Sequence, residues 1–293
     1  MMILRMNRKT AAACIIAAGV CWGIIGLFSR YLAAHGLSPV QITFSRSLVT
    51  ALAMTAGMLW RRPRGLCVAW RDMWMFLGTG LCSIVFFNVC YFTAMELTTL
   101  SMAAILLYTA PSIVMALSVL LFHEKFTPMK ALCLVLSFLG CVLVSGLGIG
   151  HINIPGILAG LGAGLGYALY SVFGHYALAK YSPFTVTTWT FIIASLGLAG
   201  FSDVPAMAAS MASSPVMFIM AVLLGLLSTT IPFILYTVGL SAMETGKAAI
   251  LASVEPLTAT VISIAVFHES LSITGAIGIF CIVCAIVLLN KKS

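Results

Sequence analysis

The chain has 293 residues, 62% of them apolar and only 8% charged, with a mean hydropathy of +1.15 and a formal net charge of +8. A soluble domain carries about 25% charged residues, so this composition excludes a water-soluble globule and makes the bilayer the solvent. Lipid permits only helices or closed barrels, and apolar runs of about twenty residues, in place of ten-residue alternation, predict helices.

Breaks in charge, Pro and Gly divide those runs into ten spans, near residues 10–34, 39–60, 72–95, 98–122, 128–149, 153–178, 183–202, 214–238, 246–267 and 272–290. The first holds Gly19, Gly23 and Gly26, and the sixth opens with Gly160, Gly162, Gly164 and Gly166. Glycines three and four apart let helix backbones approach closely; a bending gate is the alternative reading. Spans two, five, seven and eight start alike, at Ser38-Pro39, Thr127-Pro128, Ser182-Pro183 and Ser214-Pro215. Each places a capping hydroxyl before Pro at the first helical position. Ser272 opens the last span where Thr127 opens the fifth. Pro111 and Pro256 fall in mid-span and Pro232 interrupts the eighth. A mid-helix Pro frees a carbonyl and kinks the helix, and interruptions at matching places in two halves point to a midplane binding site.

The matching is written in the sequence. Tyr91, Ala103-Ala104-Ile105-Leu106, Pro111, Ser118 and Phe122-His123-Glu124 recur as Tyr236, Ala248-Ala249-Ile250-Leu251, Pro256, Ser263 and Phe267-His268-Glu269. These identities lie 145 residues apart within one ungapped window of 34 residues. Trp22, Phe28 and Tyr31 keep the register with Tyr167, Phe173 and Tyr176. The predicted fold is all-α and membrane-integral, ten transmembrane helices in two five-helix repeats over residues 1–150 and 151–293.

Charge orients it. Arg5, Arg8, Lys9, Arg61, Arg62, Arg64, Arg71, Lys125, Lys130, Lys180, Lys247, Lys291 and Lys292 fall on the side of both termini, the opposite loops hold only Arg30, and Arg46 lies inside a span. By the positive-inside rule both termini are cytoplasmic, and an odd number of spans per repeat makes the repeats inverted. Topology thus accounts for the net charge, and no nucleic-acid partner is expected. Met1–Lys9 and the apolar run behind it read as a retained signal anchor.

His123-Glu124 and His268-Glu269 lack a second His at helical spacing, so neither is a zinc-protease motif. A polar clasp at the tight turn between helices is the expected role, with proton handling as the alternative. Cys281 and Cys284, three apart, have no charged or His partners nearby and read as packing thiols. No metal and no cofactor is expected.

Two ionisable residues lie well inside spans, Arg46 and Glu255. A charge at the bilayer centre costs at least about 3 kcal/mol, so each needs a partner or an aqueous cavity. Arg46 stands seven residues past Pro39, and Glu255 eight past Lys247 from the other face. At 1.5 Å per residue across a core of about 30 Å, roughly 8 Å of depth separates them. They form either a structural lock or the two poles of a cavity for a zwitterion, Arg46 forking onto a carboxylate and Glu255 receiving an ammonium. Glu255 is also the intramembrane carboxyl placed to carry a coupling proton. Trp22 with Tyr167, and Tyr91 with Tyr236, are repeat mates that converge near the pseudo-twofold axis; Tyr170 shares a face with Tyr167, and Asn88 with Tyr91. With Tyr108 they are the expected walls, suited to apolar moieties and ammonium groups.

The whole pattern resembles the ten-helix, EamA-type branch of the drug/metabolite transporter superfamily. The residues that carry the resemblance are Trp22-Gly23, Ala103 to Pro111 with Phe122-His123-Glu124, and Ala248 to Pro256 with Phe267-His268-Glu269. It implies a multi-pass carrier of the inner or plasma membrane that exports amino acids or related metabolites by alternating access. The small four-helix relatives exchange protons on a Glu in their first helix, and the first span here has no acidic residue. Phosphorylated cargo calls for several buried cations, and only Arg46 is offered. The expected function is therefore export of a small neutral or zwitterionic metabolite such as an amino acid, with the lipid bilayer as the other partner and the oligomeric state unassigned. The rival is an importer of amines or quaternary ammonium compounds that uses Glu255 and the aromatics alone. An intramembrane enzyme is not expected: paired Asp motifs, a His/Glu cluster and a Ser/His dyad are all missing from the spans.

Overall fold

A computed structural model describes residues 7–146, 153–268, 270 and 272–291; Arg5, Glu269 and Lys292 lie outside them. Every regular element among these residues is helical. In the first half α1 (Arg8–Gly23) and α2 (Ile25–Ala34) form one span broken at Ile24, and α3 (Pro39–Arg61) follows. Next, α4 (Met73–Leu77), a π-helical segment (Gly78–Val85) and α5 (Phe86–Leu97) run on as one span. α6 (Leu100–Leu107) and α7 (Ala110–Phe122) make another, and α8 (Pro128–Ser145) ends the half. The second half begins with α9 (Ile154–Leu178), α10 (Pro183–Ala199) and α11 (Val204–Ser213). Then α12 (Pro215–Gly225) continues through a second π segment (Leu226–Thr230) into α13 (Ile231–Leu240). α14 (Thr245–Ala252), α15 (Val254–Phe267) and α16 (Ile273–Lys291) complete it.

Among the described residues, eight runs are long and apolar enough to cross a membrane, or nine when α10 and α11, bent by 102°, count as one; Ile273–Leu289 is a shorter apolar helix. Against the ten spans expected from sequence, the difference lies at α10–α11 and at the last helix. α11 occupies residues read as a connection. Its start signal is local: Asp203, at φ 37°, accepts from the Ala206 amide, and Pro205 sits in the first turn. The hydroxyl–Pro starts all cap as helix chemistry requires, Ser38, Thr127, Ser182 and Ser214 accepting from the amides of Gln41, Lys130, Thr185 and Met217. Gln41 returns the bond to the Ser38 amide and closes a capping box. Ser272 caps α16 through the Gly275 amide.

Each half sends its first span into the other. α1 packs against α13, α14 and α15, and α9 against α5, α6 and α7. The glycines permit it: a Cβ on Gly166 would stand 2.9 Å from the Phe87 backbone, and one on Gly23 would stand 2.8 Å from the Glu255 carbonyl oxygen. The close approach expected of these glycines is present at Gly23 and Gly166. Gly26 faces open space. Gly23→Ala is therefore expected to destabilise the protein by about 1–3 kcal/mol through overpacking, lowering its melting temperature in detergent by several degrees, while Gly26→Ala leaves melting unchanged. Equal melting of the two variants would show that the α1–α15 contact can yield.

Candidate functional site

The helices lose their regular pitch around one internal cavity. α1 gives way to α2 between Trp22 and Ile25, α6 ends at Leu107, and α15 restarts just ahead of Glu255; all four residues line a void of about 90 Å³. Pro111 and Pro256 occupy the first turns of α7 and α15, so the symmetric mid-span prolines restart helices there and do not merely kink them. The two π segments also sit at matching positions, since Gly80 and Ser83 lie 145 residues before Gly225 and Ser228. A π turn leaves a carbonyl without its ordinary i+4 partner. At Gly225 that carbonyl is taken by the hydroxyls of Thr230 (2.8 Å) and Thr50 (3.2 Å), and Thr50 also bonds the Arg46 carbonyl at 2.8 Å. The second π segment is thereby tied to the turn of α3 that carries Arg46.

Arg46 and Glu255 both face the cavity and both are half-buried. Among the described residues neither side chain makes a hydrogen bond or an ion pair, with each other or with any other group. Glu255 stands in the first turn of α15, where the helix dipole favours a carboxylate. It also borders a second void of about 20 Å³, alongside Tyr108 and Pro256. Leu107 and Tyr167 are shared by the two voids.

Aromatic rings form the walls. Trp22 meets Phe233 at 5.2 Å, Tyr236 at 5.3 Å and Tyr167 at 6.5 Å, and Phe87 closes on Tyr167 at 5.8 Å. Two hydroxyls are fixed by partners: Tyr236 with Ser171 at 2.7 Å, and Tyr170 with Thr237 at 3.0 Å. Of the residues singled out from sequence, Arg46, Glu255, Trp22, Tyr167, Tyr170 and Tyr236 line the main cavity and Tyr108 borders the smaller one. Asn88 and Tyr91 line neither. Asn88 is buried, donating to the Ile84 carbonyl at 2.7 Å and accepting from the Thr43 hydroxyl at 3.3 Å, a tie between α5 and α3. Tyr91 stacks beside Phe87 at 5.9 Å. The sequence reading passed over Ser83, Phe87, Ser171 and Phe233, which also line the cavity. Ser171 carried a signal, four residues from Tyr167 on one helix face; Phe87 and Phe233 carried none beyond ordinary apolarity.

The His123-Glu124 pair acts differently from a clasp at its own turn; of the second pair, Glu269 lies outside the described residues. His123 and His268 both end their helices in the left-handed conformation, φ 54°. Glu124 reaches across to the other half and accepts from the Thr245 amide at 2.6 Å and the Gly246 amide at 3.2 Å, capping α14. Nearby, the buried Lys130 pairs with Glu244 at 2.6 Å. Burial alone would raise the Glu244 carboxyl, but the hydrogen bond and charge of Lys130, helped by Lys247, hold it below the ordinary carboxylate value. Among the described residues no three His, Cys, Asp or Glu side chains come together as a metal site.

The buried hydroxyl pair gives a direct test of the wall. Tyr236→Phe is expected to leave Ser171 without a partner and cost about 1–2 kcal/mol, whereas the double variant Tyr236→Phe/Ser171→Ala recovers most of that loss. Thermal stability of the purified single and double variants measures both, and additive losses would show that the hydroxyls do not act as a pair.

The model of the EamA-like transporter family matches residues 9–146 and again residues 154–291. An uncharacterized transporter of Archaeoglobus fulgidus is 30% identical over 268 residues, 91% of each chain. The Bacillus subtilis protein named uncharacterized transporter YxxF is 26% identical over 263 residues, 87% of this chain and 81% of its own. The Escherichia coli threonine/homoserine exporter RhtA is 28% identical over 188 residues, 63% of this chain and 60% of its own. A solved crystal structure superposes with a TM-score of 0.82 over 98% of both chains at 17% identity, a likeness of fold alone.

Proposed function

This chain belongs to the EamA-like transporter family, and we propose that it exports a small neutral or zwitterionic metabolite, an amino acid above all, by alternating access around the Arg46–Glu255 cavity. It is a multi-pass membrane transporter; the proposal concerns its cargo, direction and orientation. One observation carries the reading of the cargo. A guanidinium and a carboxylate face one aromatic-walled cavity, and neither has a protein partner among the described residues. Unpaired charges inside a bilayer protein are costly, and a zwitterion neutralises both at once, its carboxylate forked by Arg46 and its ammonium set between Glu255 and the rings. The partial similarity to a threonine/homoserine exporter agrees in cargo class and direction.

The same reading places the protein in the plasma (inner) membrane with both termini cytoplasmic, by the bias of its basic residues. The two five-helix halves, residues 1–150 and 151–293, are then inverted with respect to each other. Glu255 is also the group that would carry a coupling proton. The competing cargo is an amine or quaternary ammonium compound taken inward, for which Glu255 and the aromatics suffice.

Flux into liposomes with a panel of amino acids and quaternary amines separates the two. Arg46→Ala is expected to remove the charge-assisted bonds to the carboxylate, about 1.5–3 kcal/mol or more than tenfold in apparent affinity, and abolish amino-acid flux. Glu255→Gln is expected to impair either cargo. Amine flux that survives Arg46→Ala, with no amino-acid flux in the parent, assigns the protein to the amine class.

A further inference from the structure

We propose that the last turns of α3 and the loop behind them bind one anionic phospholipid, its phosphate held by Arg62 and Arg64 and one acyl chain lying along the helix. The site requires the membrane-spanning fold alone; neither the cargo nor the direction of transport enters.

Cations are in excess at this place. Residues 60–74 and the turn at 180–184 carry Arg61, Arg62, Arg64, Arg71 and Lys180 against one carboxylate, Asp72. Both oxygens of that carboxylate are engaged, Oδ1 by the Lys180 ammonium at 2.6 Å and Oδ2 by the Tyr181 hydroxyl at 2.8 Å. Arg62 and Arg64 are exposed and have no ion-pair partner among the described residues. With Lys180 and Ser182 they line an open basin of about 640 Å³. Two guanidinium forks on one basin suit the oxygens of a phosphate.

Arg62 also ends a second, apolar groove of about 380 Å³, in which Ala53, Gly57 and Met58 of α3 face Phe184 of α10. Gly57 and Phe184 are exposed, and a Cβ on Gly57 would meet nothing within 4 Å, so the groove is open along the helix. Ala53 to Arg61 spans eight residues, about 12 Å at 1.5 Å per residue, most of one leaflet of a core about 30 Å thick. Basin and groove meet at Arg62. A molecule with an anionic head and an apolar tail fills both, whereas a free phosphate fills only the basin.

The loop is fixed in advance by the second half of the chain. Thr185 donates its hydroxyl to the Gly65 carbonyl at 2.9 Å, Trp189 Nε1 donates to the Leu66 carbonyl at 3.1 Å, and the Tyr181 hydroxyl accepts from the Ala69 amide at 3.0 Å. Less ordering is then lost on binding. Trp60 and Trp70, 81% and 85% exposed, flank the loop in sequence, and exposed indoles mark the headgroup level of a bilayer.

Lipid retention by the purified full chain tests the site. Protein in detergent is mixed with equal amounts of phosphatidylglycerol and phosphatidylcholine bearing identical acyl chains, and bound lipid is counted by native mass spectrometry. The parent chain is expected to retain one phosphatidylglycerol several-fold more than phosphatidylcholine. Arg62→Gln/Arg64→Gln is expected to remove most of that preference, and Arg8→Gln/Lys9→Gln, an equal loss of charge elsewhere, to keep it. Gly57→Phe, which fills the groove and leaves every arginine in place, is expected to lower retention of phosphatidylglycerol several-fold with no change in melting temperature. Equal retention of the two lipids by the parent, an equal loss with Arg8→Gln/Lys9→Gln, or full retention in Gly57→Phe overturns the proposal. Displacement of phosphatidylglycerol by glycerol phosphate at the same concentration also overturns it, by revealing a site for free phosphate.

Discussion

The arrangement depends on keeping two opposite charges inside a bilayer protein without letting them pair. At close range in a low dielectric a guanidinium and a carboxylate would collapse onto each other, because desolvation penalises each alone. Here Arg46 comes from α3 and Glu255 from the first turn of α15, and the rings of Trp22, Tyr167 and Tyr236 share the space they face. Each charge has separate support. The turn carrying Arg46 is tied through Thr50 to the second π segment, and Glu255 has the N-terminal dipole of its own helix. The cavity is what remains when two supported charges are held apart.

Holding them apart costs helix continuity, and the chain concentrates that cost at the site. Pro111 and Pro256 restart helices beside Leu107 and Glu255, and two π segments bring Ser83 and, three residues after the second, Phe233 to the cavity wall. Every interruption frees backbone groups that lipid cannot satisfy. Side chains answer it: Thr109 bonds the Leu106 carbonyl, Thr50 and Thr230 the Gly225 carbonyl, and Asn88 the Ile84 carbonyl. The many buried Ser and Thr of this apolar chain are the complement of its broken helices.

That division explains what could be read in advance. Proline is explicit in a sequence, so the breaks near Pro111 and Pro256 were visible, and buried charge is rare enough that Arg46 and Glu255 stood out. The first π segment, Gly78–Val85, contains no proline and gives no such sign. Each residue inserted into a helix turns everything after it by about 100°, so a face counted at the α-helical period through this stretch points the wrong way. Tyr91 was expected at the cavity as the repeat mate of Tyr236, and Asn88 as its neighbour on one face; the longer first π segment breaks that equivalence, and Phe87 is the residue that lines the cavity. The second π segment is shorter, Leu226–Thr230, and Tyr236 does face the cavity although its repeat mate Tyr91 does not. Likewise α11 was hidden because Asp203-Val204-Pro205 signals a helix start only once the 102° turn before it is known.

The exchange of first spans couples the site to both ends of the molecule. α1 carries Trp22 into contact with α13 and leans on α15 through Gly19 and Gly23, while α9 carries Tyr167, Tyr170 and Ser171 into the cavity and His175 beyond it. A shift of α15 relative to α1 must therefore move Glu255 and Phe267 together, since both belong to one helix of 14 residues. A shift of α9 must likewise move Tyr167 and His175 together. Because close-packed interfaces are bistable and not continuously deformable, a displacement at the cavity wall reaches the helix ends as a rigid rotation. The glycine contacts that seem to be mere packing are what make each helix a lever.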